Sequence, residues 1–508
     1  MWDAIVLGSG IGGLTAAAAL ARRGRRVLVL EQHSAAGGLT QTFTRQDWSF
    51  ATGVHYVSGV GPDPGPGGQF GRMLHWLTEG GLRFADCGNP YDIVRLPGFE
   101  FAIEHPRAAY RRALQLRFPA QQAVIDAWFD GMDAASQAAR SMLVMRGLPA
   151  WLAWGMRLWR GAEVRHFSER TLAQALADIP DLHLRAVLGA RWGNYGAAPD
   201  TAPLLEHALV TGAYDDGAWY PVGGPARFAQ VMQAVIAGAG GQIQLGADVK
   251  RIVVTDHRVS AVVFEHDGVP CTEHAGYVIS AMGVTHTVAC LDAQVAPAWH
   301  DTVQALRPGL SYLALYLGFE GDIAGAGASA ANLWIYASED IGRVWEAPAD
   351  EDAPALFVSF PSLKDPAHAG KHTGEVLALC DARSFAPWLN NPAVGAPEQY
   401  QALKALVEKR MLAQFCRHFP LLAPLLGFHE LSTPRTQQHF ARSPDGAMYG
   451  IEMSARRLVS EALDVRTPVP GLLLAGQDVS GAGIQAACLS GLLAAAVIEP
   501  ALLRRLGG

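Results

Sequence analysis

The 508 residues are 50% hydrophobic and only 17% charged, against roughly 25% charged in an average protein; a disordered chain is excluded and several cores can be filled. A formal net charge of −7 leaves no basic footprint for nucleic acid. The six cysteines, Cys87, Cys271, Cys290, Cys380, Cys416 and Cys488, lie far apart without a CxxC pair or paired-histidine spacing, which argues against a dense disulfide framework and a metal site and fits a reducing compartment.

Asp3–Leu7 reads as a short buried strand, Gly8–Gly13 as a turn, Leu14–Arg23 as an Ala-rich helix and Arg26–Glu31 as a second apolar strand, together a βαβ unit. The chain runs straight into that strand, with no basic stretch, apolar run and small-residue cleavage site, so no signal peptide is expected. A Gly/Pro loop at Gly59–Gln69 leads to a hairpin that turns at Leu96-Pro97-Gly98. Helical spacing dominates from Pro106 to Ala213, punctuated by Pro149, Pro180, Pro199 and Pro203. Within it, Ser141–Gly161 mixes Trp151, Trp154 and Trp159 with Arg146, Arg157 and Arg160, the composition of a helix in a lipid interface or of a lid over an apolar pocket.

From Tyr220 the pattern returns to a glycine turn, a helix to Ala237, one strand over QIQLGADVKRIVV, a hairpin partner RVSAVVFEHDG and a strand YVISAM, all expected to extend the first sheet. Val284–His439 revisits the other domain, and the last segment is strand, turn and helix. No stretch reaches about 20 uninterrupted apolar residues; the apolar tail is broken by Gln477, Asp478 and Gln485, so no membrane span is expected. The predicted fold is α/β: a Rossmann-type domain with a parallel sheet (1–75, 215–290 and 440–508) interleaved with a discontinuous α+β substrate domain (76–214 and 291–439).

Gly8-Ser9-Gly10-Ile11-Gly12-Gly13 fits G-x-G-x-x-G between a strand and a helix, where the glycines permit a tight turn, a close pyrophosphate and helix–strand packing. Glu31, ending the second strand, is placed to accept from a ribose hydroxyl pair, with Gln32 beside it. The turn alone does not separate FAD from NAD; Gly37-Gly38-Leu39 and the C-terminal AGQDVSGAGI, with Gly476, Asp478, Gly483 and Ile484, favour FAD, because a second glycine turn can hold a ribityl chain and flavin ring.

DAIVLGSGIGGLTAAAALARRGRRVLVLEQHSAAGGLTQTF and AGQDVSGAGIQAACLSG resemble the FAD-containing phytoene desaturase and carotenoid isomerase group. TGVHYVSGV, YPVGG, RPGLSYLALYL, FPSLKDP, DGAMYGIE and LAGQDVSGAG resemble its retinol saturase branch more closely, and the likeness spans nearly the whole chain. The resemblance implies FAD contacts at Gly8, Gly10, Gly13, Glu31, Gly38, the backbone of Val249, Gly476 and Asp478. Amine-oxidase and many desaturase relatives carry Arg after the paired glycines; Leu39 here points toward the saturase and isomerase branch.

A flavin exchanges a hydride at N5 with a polyene, so the protein must supply orientation, dryness and a proton donor. His55 and Tyr56 lead as polar candidates, with His55 alternatively a hydrogen-bonded structural residue. Tyr220 and Tyr449 either donate a proton or pack, Asp445 and Glu452 read as loop or capping residues, and Met73, Trp76 and Met448 line a lipid tunnel or fill a core. Neither AGAGGQ near Gly238 nor AGAGAS near Gly325 has the strand–turn–helix order of a second nucleotide site, so a transient donor, a separate reductase or a diffusible acceptor is expected as redox partner. The expected activity is saturation or cis–trans isomerisation of a C=C bond in a long apolar isoprenoid, carotenoid or retinoid, in the cytoplasm and peripheral on a membrane. An amine or other small-molecule flavin oxidase is the alternative, and a flavin-binding escort a third reading.

Overall fold

The computed structural model describes residues 2–61, 68–147, 150–389 and 397–505. Five short strands form a wholly parallel sheet in the order Leu472–Leu474, Val278–Ser280, Ala4–Leu7, Val27–Leu30, Gln242–Gln244. The first four are continuous apolar runs except for Ser280, as expected of strands covered on both faces. Helix Ile11–Ala21 covers one face, buried along its entire length, with helix Gly483–Ile498 packed on it. Strands from both ends and the middle of the sequence thus meet in one sheet.

The single strand expected over QIQLGADVKRIVV is two. Gly246 takes a positive φ of 67°, and there Gln242–Gln244, the sheet edge, parts from Ala247–Thr255. The latter pairs with Arg258–His266, which pairs with Val269–His274, in a separate three-stranded antiparallel meander. The expectation that the hairpin extends the first sheet is therefore corrected; its alternating burial suits a sheet with one wet face.

The hairpin of Asp92–Leu96 and Phe99–Ile103 forms as expected and joins the edge of a seven-stranded sheet. From the other edge this sheet runs Leu426–Ser432, Ser311–Phe319, Thr373–Cys380, Ala355–Ser359 and Asn332–Tyr336, antiparallel except where Asn332–Tyr336 meets the hairpin. A helical layer, including Arg107–Arg117, Gln122–Gly147, Ala150–Glu169 and Leu204–Gly212, adjoins it. In the Trp/Arg segment the side chains of Arg146, Trp151, Trp154 and Arg157 lie outside the described residues; Trp159 is 79% exposed, with the Arg160 guanidinium 5.1 Å from its ring centre. Among the described residues no helix is long and apolar enough to cross a membrane.

Candidate active site

The first glycine turn is held from three sides. The Glu31 carboxylate, buried at the end of its strand, accepts the Ser9 N–H at 2.8 Å and Ser9 O–H at 2.6 Å through Oε2, and the His33 N–H at 2.8 Å through Oε1. A carboxylate has about four lone-pair sites, so capacity remains for a ribose. Gly37 donates its N–H to the Ser9 carbonyl at 3.1 Å, which brings Gly37-Gly38 alongside Gly10. A Cβ on Gly13 would lie 2.1 Å from the Gly8 carbonyl oxygen, whereas one on Gly10 would meet nothing within 4 Å. Gly13 therefore serves packing, and Gly10 faces a cradle above a helix N-terminus that has no side-chain cap.

Gly476 and Gly483 open the two C-terminal helices with φ of 104° and 87°. Gln485 donates from Nε2 to the Ser58 carbonyl at 2.6 Å, tying this end of the chain to the 53–59 segment. The Asp478 carboxylate faces inward, accepting the N–H groups of Val284 at 2.9 Å and Ile451 at 3.1 Å, and so clamps three segments behind the turn. The Gln32 amide donates to the Phe440 carbonyl on the surface, and Val249 stands where the meander register shifts.

Between the glycine turns, the seven-stranded sheet and the helical layer lies a cavity of about 1100 Å³. Leu39, Gly483 and Ile484 line it, as do His55, Tyr56 and Tyr449, with walls of Trp192, Tyr214, Trp334 and Phe357. Met73 and Met448 are part of the lining; Trp76 is not, and the Arg22 guanidinium lies 5.7 Å from its ring centre. Tyr220 is corrected as a site residue: strand Trp219–Pro221 pairs with Phe84–Asp86, and its ring is buried in the core away from the cavity lining.

Beneath the cavity sits a buried polar cluster absent from the sequence reading. Lys364 donates from Nζ to the His55 carbonyl at 2.8 Å, to Ser359 Oγ at 2.7 Å and to Asn332 Oδ1. Asn332 donates to Asp92 at 3.3 Å, Tyr56 O–H lies 3.4 Å from the other Asp92 oxygen, and Asn194 donates to Tyr56 at 3.0 Å. Burial pushes the Lys364 ammonium down to about 8 and the Asp92 carboxyl up to about 6, the latter opposed by Arg191. Burial, reinforced by Asp92, raises the Tyr56 phenol well above its ordinary value, and burial lifts Tyr449 to about 12, so both remain protonated at neutral pH. The signal available was a lone Lys in FPSLKDP and a lone Asp opening DIVRL.

A parallel sheet carrying such a glycine turn, closed by a second turn from the C-terminus, defines an α/β FAD-binding fold. The family described as NAD(P)-binding Rossmann-like domain matches residues 6–66. An all-trans-retinol 13,14-reductase of Danio rerio is 30% identical over 98% of this chain and 86% of that protein. Chloroplastic prolycopene isomerase of Arabidopsis thaliana is 24% identical over 97% of this chain and 82% of its own. Cyclohexylamine oxidase of Brevibacterium oxydans shares the fold, with TM-score 0.62 at 18% identity over the full length of both chains. The chain belongs to the all-trans-retinol 13,14-reductase family.

Proposed function

We propose that the protein binds FAD between its two glycine turns and saturates or isomerises a C=C bond of a retinoid- or carotenoid-like polyene. The observation that carries this reading is the large cavity that reaches Leu39 and the C-terminal turn at Gly483, whose wall is mostly apolar and aromatic, with charged groups at Arg107, Asp133, Arg140, Glu206, Asp215 and Asp216. The cradle at Gly10 and the buried Glu31 fit the pyrophosphate and a ribose of the dinucleotide. Bound flavin supplies hydride exchange at N5. The protein's own part is to hold the polyene against that ring, to exclude water with Trp192, Trp334 and Phe357, and to deliver a proton from the side where His55 and Tyr56 stand.

Residues 1–75, 215–290 and 440–508 carry the cofactor, and 76–214 and 291–439 enclose the substrate together with His55, Tyr56, Met73, Met448 and Tyr449 of the first set. Electrons come from an external donor or reductase, and exposed Trp159 beside Arg160 supports a membrane surface as the source of substrate. The test is anaerobic: reduce the purified protein chemically, add all-trans-retinol or prolycopene, and follow flavin absorbance and product mass. A gain of two hydrogens with flavin reoxidation marks a saturase, and changed geometry at constant mass an isomerase. Inertness to every polyene, with turnover of an amine, would instead support the oxidase reading.

A further inference from the structure

His55 stands at the cavity wall with one ring nitrogen committed. Its Nδ1 lies 2.8 Å from Oε2 of Glu375, a fully buried side chain on strand Thr373–Cys380. Glu375 is itself fixed, since its Oε1 accepts the Ala51 N–H at 2.8 Å. The approach of Nδ1 to Oε2 lies off the N–H axis, yet both atoms are buried and neither has a hydrogen bond elsewhere, so each is the group available to satisfy the other. Leaving such a pair unmatched would be costly. The main chain of His55 is anchored too, by Lys364 Nζ on its carbonyl, and Phe357 packs edge-on against the imidazole at 5.1 Å.

A histidine that served packing alone would have both ring nitrogens satisfied inside the protein. Here only Nδ1 has a partner among the described residues, the side chain keeps 15% exposure, and the residue lines the cavity. A carboxylate on Nδ1 fixes the tautomer and ring orientation and steadies the imidazolium when it forms. We propose that His55 is the proton-transfer group for the polyene and that Glu375 is its positioning residue, leaving Nε2 as the nitrogen that faces the substrate. The proposal rests on the polyene reading of the site. In the saturating direction one alkene carbon takes the proton from Nε2 of the imidazolium. The other takes a hydride whose electron pair comes from the two-electron-reduced flavin, and water reprotonates the ring.

The test compares wild type, His55→Gln and Glu375→Gln, with Glu375→Asp as the variant that keeps a carboxylate. Three quantities are read: single-turnover reduction of all-trans-retinol by the chemically reduced holoprotein, retinol binding by the oxidised protein, and nitrogen-15 spectra of labelled histidines. His55→Gln should lose about a hundredfold in turnover, the scale of a general acid, and Glu375→Gln about tenfold or more, while both bind retinol as the wild type does. The His55 resonance, assigned by its absence from His55→Gln, should report an Nδ1–H tautomer in the wild type, lose that preference in Glu375→Gln and regain it in Glu375→Asp. Wild-type turnover in His55→Gln, or a tautomer indifferent to Glu375→Gln, overturns the proposal. A wild-type protein inert to retinol and prolycopene removes the proton-transfer half together with the polyene reading; the spectra then decide the positioning half alone.

Discussion

Gly10 and Gly13 stand three residues apart in one motif and answer to different constraints. A methyl group on Gly13 has no room against the Gly8 carbonyl, so Gly13→Ala should lower the melting temperature of the flavin-free protein. Gly10→Ala should leave that temperature unchanged and yet lower the flavin-to-protein ratio, because its new methyl projects only into the cradle. Circular dichroism melts and flavin absorbance separate the two cases. Lys364 offers a test of the buried cluster. Its folded value of about 8 lies below its ordinary 10.5, so between those limits the unfolded chain binds the extra proton and the contribution of this one group to stability rises with pH. Buried thiols and phenols oppose it in both proteins, so denaturant titrations from pH 8 to 10.5 should show the stability difference between wild type and Lys364→Met moving in favour of the wild type as pH rises.

Helices Ile11–Ala21 and Gly483–Ile498 approach closely because their facing residues are small. A Cβ on Gly491 would lie 2.1 Å from the Gly12 carbonyl oxygen, so Gly491→Ala should cost about 1–3 kcal/mol by urea titration. It should also weaken flavin retention, because both helices carry glycine turns at their N-termini. Elements with strong local signals were legible in the sequence: the βαβ unit with its fingerprint, the hairpin at Leu96-Pro97-Gly98 and the closing strand–turn–helix. The break at Gly246 was not, since a continuous run of β-formers conceals a change of sheet. Nor was the polar cluster: Asp92 and Asn332 meet through the pairing of their strands in the seven-stranded sheet, and Lys364 joins them from the turn after Ala355–Ser359, which no local pattern encodes. Tyr220 was left open between donation and packing because a tyrosine beside glycines looks the same whether its strand faces a cavity or a core; its burial in the core favours packing.

In the whole molecule the two main sheets divide the work. The parallel sheet presents glycine turns at the ends of its strands, and the large mixed sheet contributes one aromatic wall and a buried charged floor. The cavity between them is bounded by segments from nearly the full chain, from Leu39 to Leu503, consistent with a family likeness that also runs end to end.

The parallel sheet has a consequence for biogenesis. Its central strand, Ala4–Leu7, leaves the ribosome long before the edge strand Leu472–Leu474 and the turn at Gly476. The nascent protein therefore carries an unfinished nucleotide cleft between those two points of its synthesis, and a product terminated before residue 472 would hold the fingerprint without the second turn. Cofactor loading thus follows synthesis of the second turn, and flavin content in a preparation doubles as a readout of chains that extend past Gly476.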